Sequence, residues 1–340
     1  MSAVPVDPLQ IERAVAVLAR GGLVAFPTET VYGLGADADN PDAVASIFAA
    51  KGRPADHPVS VHVAGAAALP AWTRSLPAAA SRLAAAFWPG PLTLVVPRSE
   101  RALPVVTGGQ DTVGLRSPAH PWARALLDAW TAHRGDPAAG LAAPSANRFG
   151  YISPTRASHV RGGLGERPAG VVDLILDGGA CAIGIESTIV DLSRPSPRVL
   201  RPGAISAVQI AAALGIDLDP AGRTAEGEPR VSGTLEHHYA PRMPLEVVAP
   251  GGLAARLNAL HPRRVALLAP AAALLDAPAN VVLRLVAAED AAGYAHHLYR
   301  WLHELDQSGA ERILVARPPE GGDWTAVHDR LRRAAASAGA

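Results

Sequence analysis

Lysine, cysteine and aromatic side chains are scarce in this sequence of 340 residues, which also has no net charge. Phe, Trp and Tyr make up 4% of the chain, and 31 Lys and Arg residues balance 31 Asp and Glu residues. Proteins that bind nucleic acid through its phosphates and bases usually have excess cations and stacking aromatics. The composition therefore argues against strong direct binding of nucleic acid.

Features of secreted and membrane proteins are missing as well. The single cysteine, Cys181, cannot form an internal disulfide, and its apolar surroundings predict that it is buried. Prolines and charges interrupt the longest apolar runs before the roughly 20 residues that a membrane span requires. The N-terminus shows no signal-peptide pattern. These absences predict a cytoplasmic protein with no membrane role.

The length predicts two domains, at a typical size of about 150 residues each. Strand and helix patterns mix irregularly up to residue 205, which predicts a twisted mixed β-sheet with packed helices. Residues 216–243 are rich in Gly, Pro and charge, which is typical of a linker. The remaining patterns are typical of a small, Rossmann-like parallel α/β domain. The predicted fold class is mixed α/β (α+β), with segments at 1–205, 206–243 and 244–340.

The only lysine of the chain, Lys51, lies at the end of a predicted helix. Asn40 is a suitable N-cap, Pro41 fits the first helical position, and Gly52 ends the helix just before Arg53. A cation in a last helical turn complements the negative end of the helix dipole. Lys51 therefore has both a structural and a catalytic interpretation.

Polar side chains recur at strand ends and on polar strand faces of the first domain. The stretch "FPTETVYGLGAD" predicts a hydroxyl-rich turn containing Gly33 and Gly35, but it lacks the pattern of a P-loop or a dinucleotide site. The paired histidines His237 and His238 have no further ligands at zinc spacing, so no protein metal site is predicted. The polar group predicts a basic, hydroxyl-lined cleft for a phosphorylated ligand and a small carboxylate. Its members are Thr30, Lys51, Arg53, His62, Thr112, Arg116, Ser145, Asn147, Ser187 and Arg201.

These segments resemble the YrdC/Sua5 family of threonylcarbamoyl-AMP synthases. The motifs "FPTETVYGLGADA", "KGRP", "PVSVHV", "GLRSP", "APSAN", "GIESTIVD" and "LRPGAI" follow in the order and approximate spacing of that family. The resemblance covers residues 8–205 densely. The linker "SGTLEHHYAP" and the α/β tail are similar to the two-domain Sua5 branch.

The resemblance implies an enzyme, a nucleotidyltransferase that condenses L-threonine, bicarbonate or CO2, and ATP. The product would be L-threonylcarbamoyladenylate, with release of pyrophosphate. This product would pass to the tRNA threonylcarbamoyl transferase machinery. That machinery would form N6-threonylcarbamoyladenosine at position 37 of tRNAs that read ANN codons. The implied cofactor is Mg²⁺, held mainly by the ATP phosphates.

The family motifs also imply roles for individual residues. Arg116 would pair with the threonine carboxylate in the bidentate manner that arginine favours. The linker would fold back over the cleft as a lid. The implied catalytic residues are Lys51, Arg53, Ser145 and Asn147; those for ATP are Lys51, Arg53, His57, Thr112, Ser145, Asn147, Ser153, Arg201, His238 and Tyr239; those for L-threonine are Thr30, His62, Arg116, Ala143 and Ser187.

Two other functions stay open at this point. The basic cleft could serve a double-stranded RNA-binding module, although the charge and the aromatic content disfavour it. Another carbamoyl- or adenylyl-transferring enzyme could use the same scaffold, because a fold does not determine its substrate.

We predict that Lys51→Arg lowers turnover, measured as pyrophosphate release from ATP. A guanidinium is a broad planar fork and cannot approach developing charge as a compact ammonium does. If Lys51 only complements the helix dipole, arginine serves equally well and turnover stays unchanged. Thermal unfolding of both proteins, recorded in parallel, separates a catalytic loss from a structural one.

Overall fold

The computed structural model of the protein describes residues 4–218, 227–275 and 277–336. The chain divides into two compact units. The first comprises Met1–Phe149 and Pro154–Thr234, and the second comprises Gly150–Ser153 and Leu235–Ala340. Within the described residues, no helix combines the length and apolarity of a membrane span.

The first unit contains a mixed β-sheet whose strand order is β7-β1-β2-β6-β3-β5-β4-β8-β9. Parallel and antiparallel pairs alternate irregularly, as the sequence predicted. The strands are β1 (Val24–Phe26), β2 (Gly33–Asp37), β3 (Val61–Val63), β4 (Leu92–Pro97), β5 (Thr112–Arg116), β6 (Gly140–Ala142), β7 (Leu174–Ile175), β8 (Thr188–Asp191) and β9 (Arg198–Arg201). The helices are α1 (Pro8–Ala19), α2 (Pro41–Lys51), α3 (Leu69–Trp72), α4 (Ala78–Phe87), α5 (Pro104–Thr107), α6 (Pro121–Arg134), α7 (Ala157–Gly163) and α8 (Ala207–Leu214), with a 3-10 helix at Ala66–Ala68.

Helix α2 forms as its sequence predicts. The side chain of Asn40 accepts hydrogen bonds from the backbone N–H groups of Asp42 and Ala43, and Pro41 occupies the first turn. Gly52 ends the helix in the left-handed conformation, which glycine adopts without steric penalty. The predicted caps are confirmed, and Lys51 stands in the last turn.

Strand β1 is buried on both faces. Val24 and Phe26 of β1 join one apolar cluster together with residues of α1 and α6. The intervening Ala25 joins the other cluster, to which α2 and α4 contribute. Alternate residues of one strand thus serve two cores, which explains why β1 has a continuous apolar sequence.

The prediction that Gly33 and Gly35 lie in a turn is wrong. Both belong to β2 and pair with β1 in antiparallel register. A Cβ on Gly35 would lie 2.8 Å from the ring of Phe26, so glycine is needed where the ring crosses the strand. The turn ends earlier, and residues 27–32 carry the polar side chains.

The second unit is built on a parallel β-sheet of order β10-β13-β11-β12. The predicted parallel α/β arrangement of the tail is confirmed. Its strands are β10 (Leu245–Val248), β11 (Val265–Ala269), β12 (Val281–Val286) and β13 (Arg312–Ala316). Its helices are α9 (Leu253–Ala259), α10 (Ala271–Leu274), α11 (Ala291–Asp306) and α12 (Thr325–Ala335), with 3-10 helices at Pro250–Gly252 and Gly322–Trp324.

We expect Gly140→Ala to lower the free energy of unfolding by about 1–3 kcal/mol, because the added methyl group overpacks the sheet. A Cβ there would lie 2.5 Å from Val61 Cγ1 and 3.1 Å from the backbone oxygen of His62. Gly162→Ala is the matched control, since a Cβ at Gly162 meets nothing within 4 Å. Urea denaturation of the three proteins measures the difference, and equal losses for both variants would contradict the packing argument.

Candidate active site

Strand β5 carries the polar floor of the candidate site. Thr112, Gly114 and Arg116 share one face of the strand and alternate with buried apolar residues. His62 of the neighbouring parallel strand β3 is the register partner of Arg116. The sequence prediction that Thr112 and Arg116 lie on one strand face is confirmed.

Two hydroxyl groups extend this floor toward β9. A Cβ on Gly114 would lie 3.4 Å from Thr93 Cγ2. The Thr93 hydroxyl shares a hydrogen bond of 2.8 Å with the Ser187 hydroxyl, which also accepts from Arg201 Nη2 at 3.2 Å. Arg116 and Arg201 therefore lie at two ends of one continuous polar surface.

Arg116 is buried among partners from the turn that follows β1 and from the segment just before β4. Its Nη1 donates to Thr30 Oγ1 at 2.9 Å, and its Nε donates to the carbonyl of Gly90 at 3.3 Å. Its Nη2 lies 2.8 Å from Glu29 Oε1. The Thr30 hydroxyl is itself linked to the Thr28 hydroxyl at 2.8 Å. These contacts hold the guanidinium in one orientation.

His62 is a neutral side chain in this site. Burial lowers the pKa of His62 well below its usual value, and the positive charge of Arg116 lowers it further. The imidazole packs edge-to-face on Phe26, with ring centroids 5.9 Å apart. Among the described residues, no group hydrogen-bonds to its buried Nδ1. His62 therefore adds a polar ring but no charge to this part of the site.

Lys51 is bound to the loop that follows β6. Its Nζ donates to the carbonyl oxygens of Ser145 and Asn147, each at 2.5 Å, while its own carbonyl accepts from Phe149 N. Burial lowers the pKa of Lys51 well below its usual value, as does the charge of Arg53. Two carbonyl acceptors oppose that shift by solvating the ammonium. Lys51 thus brings the Ser145 and Asn147 loop against the end of α2.

Arg53 and Arg201 converge on a single residue of the predicted linker. Arg53 Nη2 donates to Ser232 Oγ at 3.0 Å and to the Pro58 carbonyl at 2.8 Å. Arg201 Nη1 donates to the Ser232 carbonyl at 2.8 Å, and Arg201 Nη2 donates to the Ser187 carbonyl at 2.8 Å. The two arginines, distant in sequence, therefore belong to one cationic cluster.

His57 borders this cluster. Its ring packs edge-to-face on Phe149 at 5.3 Å, and the Arg53 guanidinium lies 5.4 Å from the centroid of the same ring. Burial lowers the pKa of His57, and so does the charge of Arg53. His57 is therefore neutral at pH 7 and above.

The linker residues 230–232 cover a small cavity over the β-sheet. The cavity has a volume of about 20 Å³. Gln110 fixes the linker there by accepting from Arg230 N at 2.7 Å. The lining residues are Pro58, Val59, Ser60, Thr93, Val95, Gln110, Thr112, Gly114, Ile189, Arg230, Val231 and Ser232.

The other predicted residues have different surroundings. Ala143 is buried, and its N–H donates to the carbonyl of Ser60 beside β3. Ser153, His238 and Tyr239 belong to the second unit. Tyr239 packs against Tyr299 with ring centroids 5.6 Å apart. The ligand contacts of these residues, including the lid, stay predictions.

Sequence reasoning missed three residues of this site. Glu29 pairs with Arg116, Thr93 links Gly114 to Ser187, and Ser232 joins the two arginines. Glu29 has a recognisable signal, since it is an acidic residue between two threonines directly after a buried strand. The other two have none, because Ser187 lies 94 residues from Thr93 and Arg53 lies 179 residues from Ser232.

Two family models match the chain. A Sua5, YciO and YrdC model, described as "Telomere recombination", matches residues 16–203, and "Threonylcarbamoyl-AMP synthase, C-terminal domain" matches residues 205–336. The two matches together cover both compact units, a YrdC-type domain followed by a Sua5 C-terminal domain. The chain belongs to the Sua5/YrdC family, in the branch that has the Sua5 C-terminal domain.

Two curated relatives and one solved structure match this chain over nearly its whole length. The threonylcarbamoyl-AMP synthase of Bacillus subtilis is 40% identical, covering 97% of this chain and 93% of the relative. That of Pyrococcus abyssi is 38% identical, with coverages of 97% and 95%. The crystal structure of P. abyssi Sua5 complexed with L-threonine superposes with a TM-score of 0.87 at 35% identity, covering 98% and 96%.

We predict that His62 makes stability depend on pH. The imidazole of the unfolded chain takes up a proton near pH 6.5, whereas burial keeps the pKa of the folded imidazole well below that value. Stability due to His62 therefore falls as pH falls below 6.5. Between pH 7.5 and 5.5, the wild type should lose about 1.4 kcal/mol of unfolding free energy more than His62→Gln.

Urea denaturation at the two pH values measures this difference. His261→Gln, at an exposed position, is the control and should follow the wild type. Parallel behaviour of wild type and His62→Gln would show that the folded chain protonates His62 normally.

Proposed function

We propose that this protein is a threonylcarbamoyl-AMP synthase, which makes L-threonylcarbamoyladenylate from L-threonine, bicarbonate or CO2, and ATP with release of pyrophosphate. The observation that carries the proposal is one polar surface with Arg116 at one end and the Arg53 and Arg201 cluster at the other. The names of the full-length relatives support it.

The Arg116 end suits the amino acid. A guanidinium held by Thr30 and Gly90 is oriented in advance for a carboxylate, which lowers the entropy lost on binding. Neutral His62 and the Thr30 hydroxyl can bind the polar groups of threonine without adding charge. The P. abyssi relative forms a complex with L-threonine, which supports this assignment.

The Arg53 and Arg201 end suits the nucleotide. Two buried guanidiniums bring positive charge to one place, and exclusion of water strengthens their attraction for phosphate oxygens. Lys51 holds the Ser145 and Asn147 loop beside them. We assign these side chains to ATP, together with Thr112 on the floor between the two ends.

The reaction requires two anions to meet. The threonine amine attacks CO2 and loses a proton, which gives a carbamate, and a carbamate oxygen then displaces pyrophosphate from the α-phosphorus. Positioning and charge neutralisation dominate catalysis of this kind. Among the described residues, no group of three or more His, Cys, Asp or Glu side chains could hold a metal ion. We therefore assign Mg²⁺ to the ATP phosphates, whose charge it neutralises.

The product is a mixed anhydride and passes to an enzyme that transfers the threonylcarbamoyl group to tRNA. We assign the protein to the cytoplasm, where tRNA modification, ATP and threonine coincide. The lid assignment of His238 and Tyr239 belongs to the same proposal.

Pyrophosphate release from ATP tests the function directly. We expect release only when L-threonine, bicarbonate and Mg²⁺ are all present, and we expect it to stop when any one of them is left out. Release that does not respond to threonine would contradict the proposal. Tight, salt-sensitive RNA binding without turnover would indicate an RNA-binding module instead.

Arg53→Ala should reduce this turnover by roughly 100-fold, as expected for loss of a charged transition-state contact. The thermal unfolding temperature should change far less, because the substitution leaves the apolar core intact. Arg74→Ala is the matched control, since Arg74 is an exposed arginine of the same unit. Equal losses of turnover and stability would mean that Arg53 is structural.

A further inference from the structure

We propose that Glu29 is a positioning residue that fixes Arg116 and neutralises its charge, so that the amino-acid site selects a zwitterion over a simple carboxylate anion. The proposal rests on the proposed function, which places an amino acid at Arg116.

Glu29 is held at three points. Its Oε1 lies 2.8 Å from Arg116 Nη2, its Oε2 accepts from Ala119 N at 3.0 Å, and its backbone carbonyl accepts from Ile183 N at 2.7 Å. Glu29 is 8% exposed and Arg116 is 4% exposed. The pair is therefore a fixed part of the folded unit rather than a mobile surface contact.

The pair neutralises charge at a fixed place in the site. Glu29 Oε1 and Arg116 Nη2 lie 2.8 Å apart, and both atoms are shielded from solvent. Nε and Nη1 keep their bonds to Gly90 and Thr30.

The titratable groups that interact with this pair do not change its net charge. Burial lowers the pKa of His62 and of His120, and it raises the pKa of the Cys181 thiol. All three groups are thus neutral near pH 7.5. Glu29, Arg116 and these three groups together therefore carry no net charge before a ligand binds.

This neutrality determines which ligand fits. An anionic carboxylate would leave one uncompensated negative charge in a buried site, which is unfavourable. A zwitterion adds no net charge, because its ammonium compensates the carboxylate. Without the Glu29 charge, Arg116 would instead be an unpaired cation that favours anions. Glu29 therefore decides between the two classes of ligand.

Calorimetric binding of two ligands tests the inference. One is L-threonine, and the other is 2,3-dihydroxybutyrate, which has the same carbon skeleton with a hydroxyl in place of the ammonium. The wild type should prefer threonine. Glu29→Gln keeps the size of the side chain and an acceptor for Ala119 N, and it should shift the affinity ratio toward dihydroxybutyrate by about tenfold or more. Glu12→Gln, at an exposed position of α1, should leave the ratio unchanged.

Steady-state kinetics give an independent measure. In Glu29→Gln, KM for threonine should rise while kcat stays within about threefold, because threonine binding is weakened before the chemical step. An unchanged ratio of affinities would overturn the inference, and so would a wild type that binds both ligands within twofold. If Glu29→Gln does not fold, Glu29→Asp is measured in its place. This variant keeps the negative charge, so it should keep the preference for threonine. Loss of that preference would overturn the inference.

The two proposals fail in different ways. A wild type without threonine-dependent pyrophosphate release would contradict the proposed function. An active wild type whose ligand preference does not respond to Glu29→Gln would contradict only the role of Glu29.

Discussion

Four cationic side chains of the first unit have almost no contact with water. Lys51, Arg53, Arg116 and Arg201 are each 7% exposed or less. A buried charge is strongly unfavourable unless polar partners replace the water that it loses. The strand order, the loops between strands and the linker all supply such partners, so this constraint connects most features of the site.

The four cations obtain their partners in different ways. Backbone carbonyls surround Lys51, which thereby holds a loop in place. A carboxylate neutralises Arg116. Arg53 and Arg201 share Ser232 from a segment that is remote in sequence. The same charge type thus meets neutral oxygens in one place and a carboxylate in another, and only the carboxylate cancels the charge.

These differences explain how one domain can bind two unlike ligands. The Arg116 end is electrically balanced and therefore suits a zwitterionic amino acid. At the other end, Arg53 and Arg201 donate to carbonyl and hydroxyl oxygens of Pro58, Ser187 and Ser232, and the proposed function assigns this end to the phosphates. Thr93 and Ser187 connect the two ends without adding charge, and in the proposed function they lie between the two ligands.

The sequence by itself determined several local features of the fold and of the candidate site. Local sequence patterns were enough to predict the caps of α2, the shared strand face of Thr112 and Arg116, and the parallel sheet of the tail. They were enough because capping and strand alternation act between near neighbours. Tertiary structure alone decided that Gly33 and Gly35 lie in a strand beneath Phe26, that Glu29 pairs with Arg116, and that Ser232 reaches Arg53 and Arg201. Those contacts depend on which segments the folded chain brings together, and no local sequence pattern predicts which segments will meet.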